Sequence, residues 1–286
     1  MRSRPCIAWS FACQEDTRPD AVVIVHTHDG SGHDAARNRR LSDSRFRAGT
    51  NLSDKHTSST FDGDLKRLTS RLLEMGGLVE LQIASAMDAL QTFDLPLVEQ
   101  ILEGEHRLNT MEVEVDEEVS NVIARRQPAA RDLRFLMATS RCVTNLERAG
   151  DEAGKIAKRI RSLAMNRAGR SVDIAEIKIS GEMALQILRR ALDAFARMDT
   201  ESARQIIRDD VSIDNEFRAF MRKLVTCMTE DPRSISTGLD YLFIAKAIER
   251  IGDHATNLAE SVVYVVHGTD VRHQPLRRIE GMASDS

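Results

Sequence analysis

Two carboxylates four residues apart recur in this chain inside nearly the same words, Glu147-Arg148-Ala149-Gly150-Asp151 and Glu249-Arg250-Ile251-Gly252-Asp253. Residues four apart on a helix lie one turn above another, so Glu147 and Asp151 share a side, as do Glu249 and Asp253. Like charges at that spacing cost an isolated helix about 0.2–0.5 kcal/mol, and something must offset the cost. The bland offset is a solvated face on which Arg148 and Arg250 pair locally with the acids. The sharper one is a bound cation. Gly150 and Gly252 favour it, because a glycine within a helix costs about 1 kcal/mol relative to alanine and its return is the close approach of a neighbour or ligand.

A second acidic set precedes each of these motifs. The stretch from Met87 to Asn109 aligns with that from Leu192 to Asp214, which matches Glu105 to Asp210 and Asn109 to Asp214, again four apart. In the first copy Glu112 and Asp116 continue the acidic line by another turn. Glu105 and Glu112 share heptad phase with Val98 and Val119, so they fall on or beside an apolar stripe, where a bare carboxylate is costly unless paired, protonated or bound to a cation. Oxygen donors of this kind suit hard or borderline cations, with iron, manganese or magnesium ahead of copper and zinc less expected. Glu-x-x-His, the signature of ferritin-type di-iron bundles, is absent from both motifs. His254, roughly 100 degrees around the helix from Asp253, is expected at the surface and not as a ligand.

These side chains require long helices to hold them. Leu65, Leu68, Leu72, Met75, Val79, Ile83, Met87 and Leu90 recur in three- and four-residue steps from Asp64 onward, the stripe of an amphipathic helix in a bundle. Asp94 is placed to cap the next helix, with Pro96 in its first turn. That helix carries Val98, Ile101, Leu108, Val115, Val119 and Val122 and stops near Arg125-Arg126-Gln127-Pro128. Pro128 is expected to open a third helix, through Leu133, Leu136, Val143, Leu146, Ile156, Ile160 and Leu163, that ends at a linker from Asn166 to Ser171. The same order follows in the second half, with Pro232 near the position of Pro128. The expected fold is all-α: two tandem antiparallel three-helix bundles built on an internal repeat, at 56–167 and 172–270. Residues 1–55 are expected to be a disordered extension and 271–286 a flexible tail.

The bulk numbers fit that plan. The chain has 286 residues and a formal charge of −4, which gives no electrostatic basis for capturing nucleic acid. Cys6, Cys13, Cys142 and Cys227 stand apart, without a CxxC pair, and are expected as reduced thiols, Cys142 and Cys227 as small buried hydrophobes. Arg2 and Arg4 precede a short apolar run that "QEDTRPD" cuts off without a cleavage site, which argues against secretion. "AVVIVHTHDG" is either a lone strand or, with His26, His28 and His33, part of a solvated polar segment, and the second reading is preferred over a metal site.

Four stretches, "EMGGLVELQ", "IARRQPAARDLR", "LERAGDEAGKIA" and "IERIGDHATNLAE", resemble the PhoU family of phosphate-transport accessory proteins, in order and in both halves, over roughly residues 52–275. The resemblance implies a cytoplasmic, usually dimeric protein that reaches the membrane only through partners. Those partners are the nucleotide-binding subunit of a phosphate ABC transporter and a phosphate-sensing histidine kinase, with negative regulation of phosphate uptake and of the starvation response as the outcome and no enzymatic activity. It also implies iron or zinc, with manganese or magnesium as alternatives, at Glu147/Asp151, Glu249/Asp253 and Asp210/Asp214. Asn257 extends the last of these lines, while Lys155 stands at the matching place in the first half. Asn109 departs from the family's aspartate beside Glu105, which leaves Glu112 and Asp116 as alternative ligands. The resemblance begins near Leu52, so the preceding residues are either an appendage or lie before an alternative start. The rival from another class is a carboxylate-bridged metalloenzyme, against which stands the lack of a His, Cys or Tyr base within the motifs.

Overall fold

The computed structural model describes residues 52–165 and 172–272. Helix α1 spans Leu52–Thr92, α2 Leu95–Arg126, α3 Ala130–Met165, α4 Ala175–Arg197, α5 Thr200–Glu230 and α6 Ile235–His267, with a 3-10 turn at Pro232–Ser234 before α6. Among the described residues there is no strand, and no helix is long and apolar enough to cross a membrane. The expected N-terminal extension up to residue 51, with its histidines, Cys6 and Cys13, lies outside the described residues, as does the tail beyond residue 272.

The helices begin and end where local chemistry dictates. Asp94 caps α2 by accepting a hydrogen bond from the Leu97 amide at 3.2 Å, and Pro96 sits in the first turn. Asp199, its counterpart in the repeat, caps α5 through the amides of Glu201 and Ser202, each at 3.1 Å. These caps satisfy amides that the helix itself leaves without a partner. Gly268 closes α6 at φ 76°, a conformation that suits glycine. Two expectations shift. The backbone of α1 is already helical from Leu52, inside the segment assigned to the extension. The third helix begins at Ala130 and not at Pro128, because Gln127 ends α2 in the left-handed region (φ 49°, ψ 53°) and Ala130 itself has φ 47°.

In the first half α1, α2 and α3 pack on one another, and in the second α4, α5 and α6 do the same. Leu68, Leu72, Met75, Val79 and Ile83 of the α1 stripe are fully buried, as are Leu188, Ala191 and Phe195 of α4. Residues 52–165 and 172–272 form one compact unit, because the halves meet along α3 and α6 and again along α1 and α4. The second contact is reciprocal. A Cβ on Gly76 would lie 2.5 Å from Leu192 Cδ2, and one on Gly181 would lie 2.3 Å from Met87 Sδ. Gly76 and Gly181 match each other in the repeat, and so do Met87 and Leu192, so each half offers one bulky side chain and one glycine socket. Equivalent residues exchange contacts across this boundary in the manner of a two-fold interface. Cys142 is buried, which pushes its thiol up to about 12, whereas Cys227 is half-buried and so less enclosed than expected.

Candidate functional site

The carboxylates of the second half come together where α5 passes α6. Ile213 Cδ1 and Asp210 Oδ1 lie 2.8 and 3.0 Å from where a Cβ of Gly252 would sit, so this glycine lets α5 approach closely. Burial pushes the Asp210 carboxyl up to about 7, and the negative charges of Asp253, Asp214 and Glu249 push in the same direction. Asp253 rises to about 6, through partial loss of hydration and then the charge of Glu249, with Lys246 opposing. Its side chain is more open to solvent than that of Asp210, so Asp210 is the more strongly perturbed member of the set. Two of the four acids have cationic partners: Glu249 accepts from Lys246, and Asp214 accepts from Arg218 at 3.4 Å.

The first half gathers a different set from the one its alignment suggests. Glu105 does not face Glu147. It lies across Gly154 and accepts from Lys158 Nζ at 3.1 Å, and Asn109 is exposed. Glu112 takes the place opposite Glu147, whose carboxyl is raised by burial and then by Asp151 and Glu112. Asp116, one turn further along, has Oδ1 buried with no hydrogen-bond partner. The acids that repel one another here are therefore Glu112, Glu147 and Asp151, with Asp116 alongside and Glu105 drawn off by a lysine.

The two glycines of the repeated motif serve neighbouring side chains. A Cβ on Gly150 would lie 2.3 Å from Leu108 Cδ1 and 3.1 Å from Gln82 Oε1, as one on Gly252 would meet Ile213. Arg250 does not pair with Glu249 or Asp253. It crosses to the other half and donates to the buried Glu152 at 3.2 Å, where Lys155 also donates at 2.9 Å. Asn257 turns from the acid line toward the boundary and donates to Asn145 Oδ1 at 2.9 Å, and His254 Nδ1 lies 3.1 Å from the same oxygen. His254 is thus half-buried at the α3–α6 boundary, not at the surface as expected, and burial lowers its pKa to about 4. Arg159 Nη1 and Ser162 Oγ complete this boundary by donating to buried Asp240 at 3.1 and 2.9 Å. Sequence reasoning missed these partners. The pairs Glu152/Lys155, Asp214/Arg218 and Lys246/Glu249 carried a local signal, a cation three or four residues from the acid.

Among the described residues, no three His, Cys, Asp or Glu side chains stand close enough together to hold a metal ion as they are oriented. The donor chemistry nevertheless fits a cation. Burial and the charges of neighbouring acids raise Asp210 and Asp253 in the second half and Glu147 in the first, and an orphaned carboxylate oxygen of Asp116 lies one turn beyond Glu112. Asp210, Asp214, Glu249 and Asp253 would hold a divalent ion by turning inward, and Glu112, Asp116, Glu147 and Asp151 would form the matching set.

A titration follows from Asp210. Its folded pKa lies above its ordinary value of 3.8, so the native state holds the proton more tightly than the unfolded chain does. The associated stability is full below about pH 4 and is lost as pH rises through about 7. Asp210→Asn, which keeps the neutral form at every pH, is expected to change little near pH 4. At pH 8 in chelator it should stabilise the chain by about 1–2 kcal/mol, discounted for partial solvent screening. Urea unfolding at the two pH values measures the difference, and equal stability at pH 8 would contradict the reading.

A duplicated six-helix body whose third and sixth helices carry paired carboxylates defines a class of all-α repeat proteins built from two three-helix halves. The PhoU domain profile matches residues 72–160 and 177–262, one match for each half. The chain belongs to the PhoU family. It is 53% identical over 223 residues to a Burkholderia sp protein named phosphate-specific transport system accessory protein PhoU homolog, covering 77% of this chain and 94% of the relative. It is 39% identical over 221 residues to the accessory protein PhoU of Escherichia coli (strain K12), covering 77% and 90%. The crystal structure of PhoU from Pseudomonas aeruginosa superposes with a TM-score of 0.71 at 42% identity, covering 73% of this chain and all of that one, 100%. The phosphate transport system regulatory protein PhoU from Streptococcus pneumoniae gives a TM-score of 0.69 at 28% identity, covering 74% and 99%.

Proposed function

We propose that this chain is a cytoplasmic accessory protein of phosphate transport that negatively regulates phosphate uptake and the phosphate-starvation response. It acts as an adaptor, docking as a homodimer on the nucleotide-binding subunit of a phosphate ABC transporter and on a phosphate-sensing histidine kinase. Membrane association runs through those partners. The observation that carries the reading is the family match through both halves, together with relatives named for an accessory role in phosphate-specific transport rather than for a reaction. The carboxylate sets on α5/α6 and α2/α3 add a cation, iron or zinc with manganese or magnesium as alternatives, that holds adjacent helices together by neutralising acids which otherwise repel. That role is structural, and no step of chemistry is assigned to the ion.

Deletion of the gene in its host, read out with a phosphate-starvation reporter in high phosphate, tests the regulatory role. The reporter is expected to switch on in the deletion strain and to fall silent again when the full chain is restored. A reporter that stays silent in the deletion strain would overturn the proposal.

A further inference from the structure

On the α3–α6 boundary, beside the acid sets but lined by none of their carboxylates, a cleft of about 400 Å³ opens between the halves, within the usual range of about 300–1,000 Å³ for small-ligand sites. Lys155, Lys158 and Arg159 line it from α3, and Lys246 and Arg250 from α6, against one lining carboxylate, Glu152. The other acids that these cations touch, Glu105, Asp240 and Glu249, are not part of the lining. The five cationic side chains are between 43% and 53% exposed, so their charged ends remain open to a solute. Their partner acids are more enclosed, between 5% and 24% exposed, so an anion would be met by the N–H donors that each ammonium or guanidinium keeps beyond its ion pair. Phe243 and Ala247 supply an apolar wall, with Phe243 50% exposed and the Arg159 guanidinium 4.3 Å from its ring centroid. Exposed aromatic surface beneath a stacked arginine is a platform for a flat group, and a planar guanidinium is a good donor to phosphate oxygens.

We propose that this cleft binds a phosphate-class anion: free phosphate, or an organic phosphate whose flat portion rests on Phe243. Convergence of five donors from two helices selects a polyvalent anion over chloride or acetate, because each further charge engages another donor. The inference is independent of cation binding at the carboxylate sets and of the adaptor role.

Calorimetric titration of the purified full-length chain tests it, with inorganic phosphate in one arm, AMP in a second, and sodium acetate at matched ionic strength as the control. Saturable binding of about one phosphate or AMP per chain is expected, weakened at least tenfold in Lys155→Gln/Lys158→Gln. Binding in the phosphate arm identifies the free anion as sufficient, and binding in the AMP arm alone assigns the site to an organic phosphate, which Phe243→Ala then weakens. Helical content by circular dichroism and bound metal are both expected to stay unchanged in these variants. No saturable binding in either arm, binding matched by acetate, or binding unaltered in the double-lysine variant would each overturn the proposal.

Discussion

Metal-stripped protein at pH 7.5, supplied with manganese(II), or iron(II) without oxygen, at about a hundred times its dissociation constant, is expected to gain about 2.7 kcal/mol of stability. That corresponds to a melting temperature higher by about 5–10 °C for a chain of this size. The gain arises because Asp210, raised to about 7, sits against Asp253, Asp214 and Glu249, and a divalent ion attracts each of these carboxylates more strongly than they repel one another. Lys246 holds Glu249 and Arg218 holds Asp214 in the absence of a cation, and each pair must open for its acid to turn inward. The Arg218–Asp214 pair is exposed enough for that to cost little, whereas Glu249 is only 14% exposed and its release from Lys246 takes back part of the gain. Asp210→Asn/Asp253→Asn should abolish the part of the gain that comes from the second half and leave the part that comes from Glu112, Glu147 and Asp151. Differential scanning calorimetry with and without the ion measures this directly. No shift, or an identical shift in the double variant, would show that these acids do not bind the cation.

The second large effect concerns Gly150. Gly150→Val is expected to destabilise the chain by about 1–3 kcal/mol, the usual cost of overpacking, even though valine is the better helix former. The added carbon would fall 2.3 Å from Leu108 Cδ1, which is fixed in the buried core, and 3.1 Å from Gln82 Oε1. The Gln82 amide is itself wedged between two glycines: its Oε1 lies 3.1 Å from the Cβ position of Gly150 and its Nε2 only 2.3 Å from that of Gly104. Three helices therefore meet around one side chain, and displacing it strains all of them. Chemical denaturation reads the loss, and a variant as stable as the native chain would mean that Leu108 and Gln82 have freedom the packing does not suggest.

Much of this architecture is written in local patterns. The α1 stripe, the Asp94 cap and the pairing of Asp199 with it through the repeat all depend on residues within a few positions of one another, which periodicity and capping chemistry report. The repeat located both carboxylate pairs on the last helix of each half and matched Asp210 correctly to the helix before it. Partner choice across helices was not legible. Glu105 belongs to Lys158, 53 residues away, and Arg250 to Glu152, 98 residues away. Helical phase gives the angle of a side chain about its own axis and says nothing about which cation waits on the facing helix. The same reason explains His254 and Asn257. Their positions one and four residues past Asp253 suggested the surface and the acid line, and only the packing of α3 on α6 shows that both meet Asn145. Gly150 and Gly252 were legible as clearance, but the sequence could not say that the space goes to Leu108 and Ile213.

The exchange of Met87 and Leu192 for the sockets at Gly181 and Gly76 carries a consequence for concentration. Each half bears both knob and socket, so it is complementary to a second copy of itself, and joining two halves in one chain replaces a bimolecular encounter with an intramolecular one. The linker then sets an effective concentration that dilution cannot lower. Such tethering also releases the two copies from having to match. A first half paired with itself would set Arg148 against Glu152 twice, whereas a second half paired with itself would set Arg250 against His254 twice. The joined chain needs neither arrangement: it keeps the Arg250–Glu152 ion pair and lets the mirrored position carry a neutral imidazole.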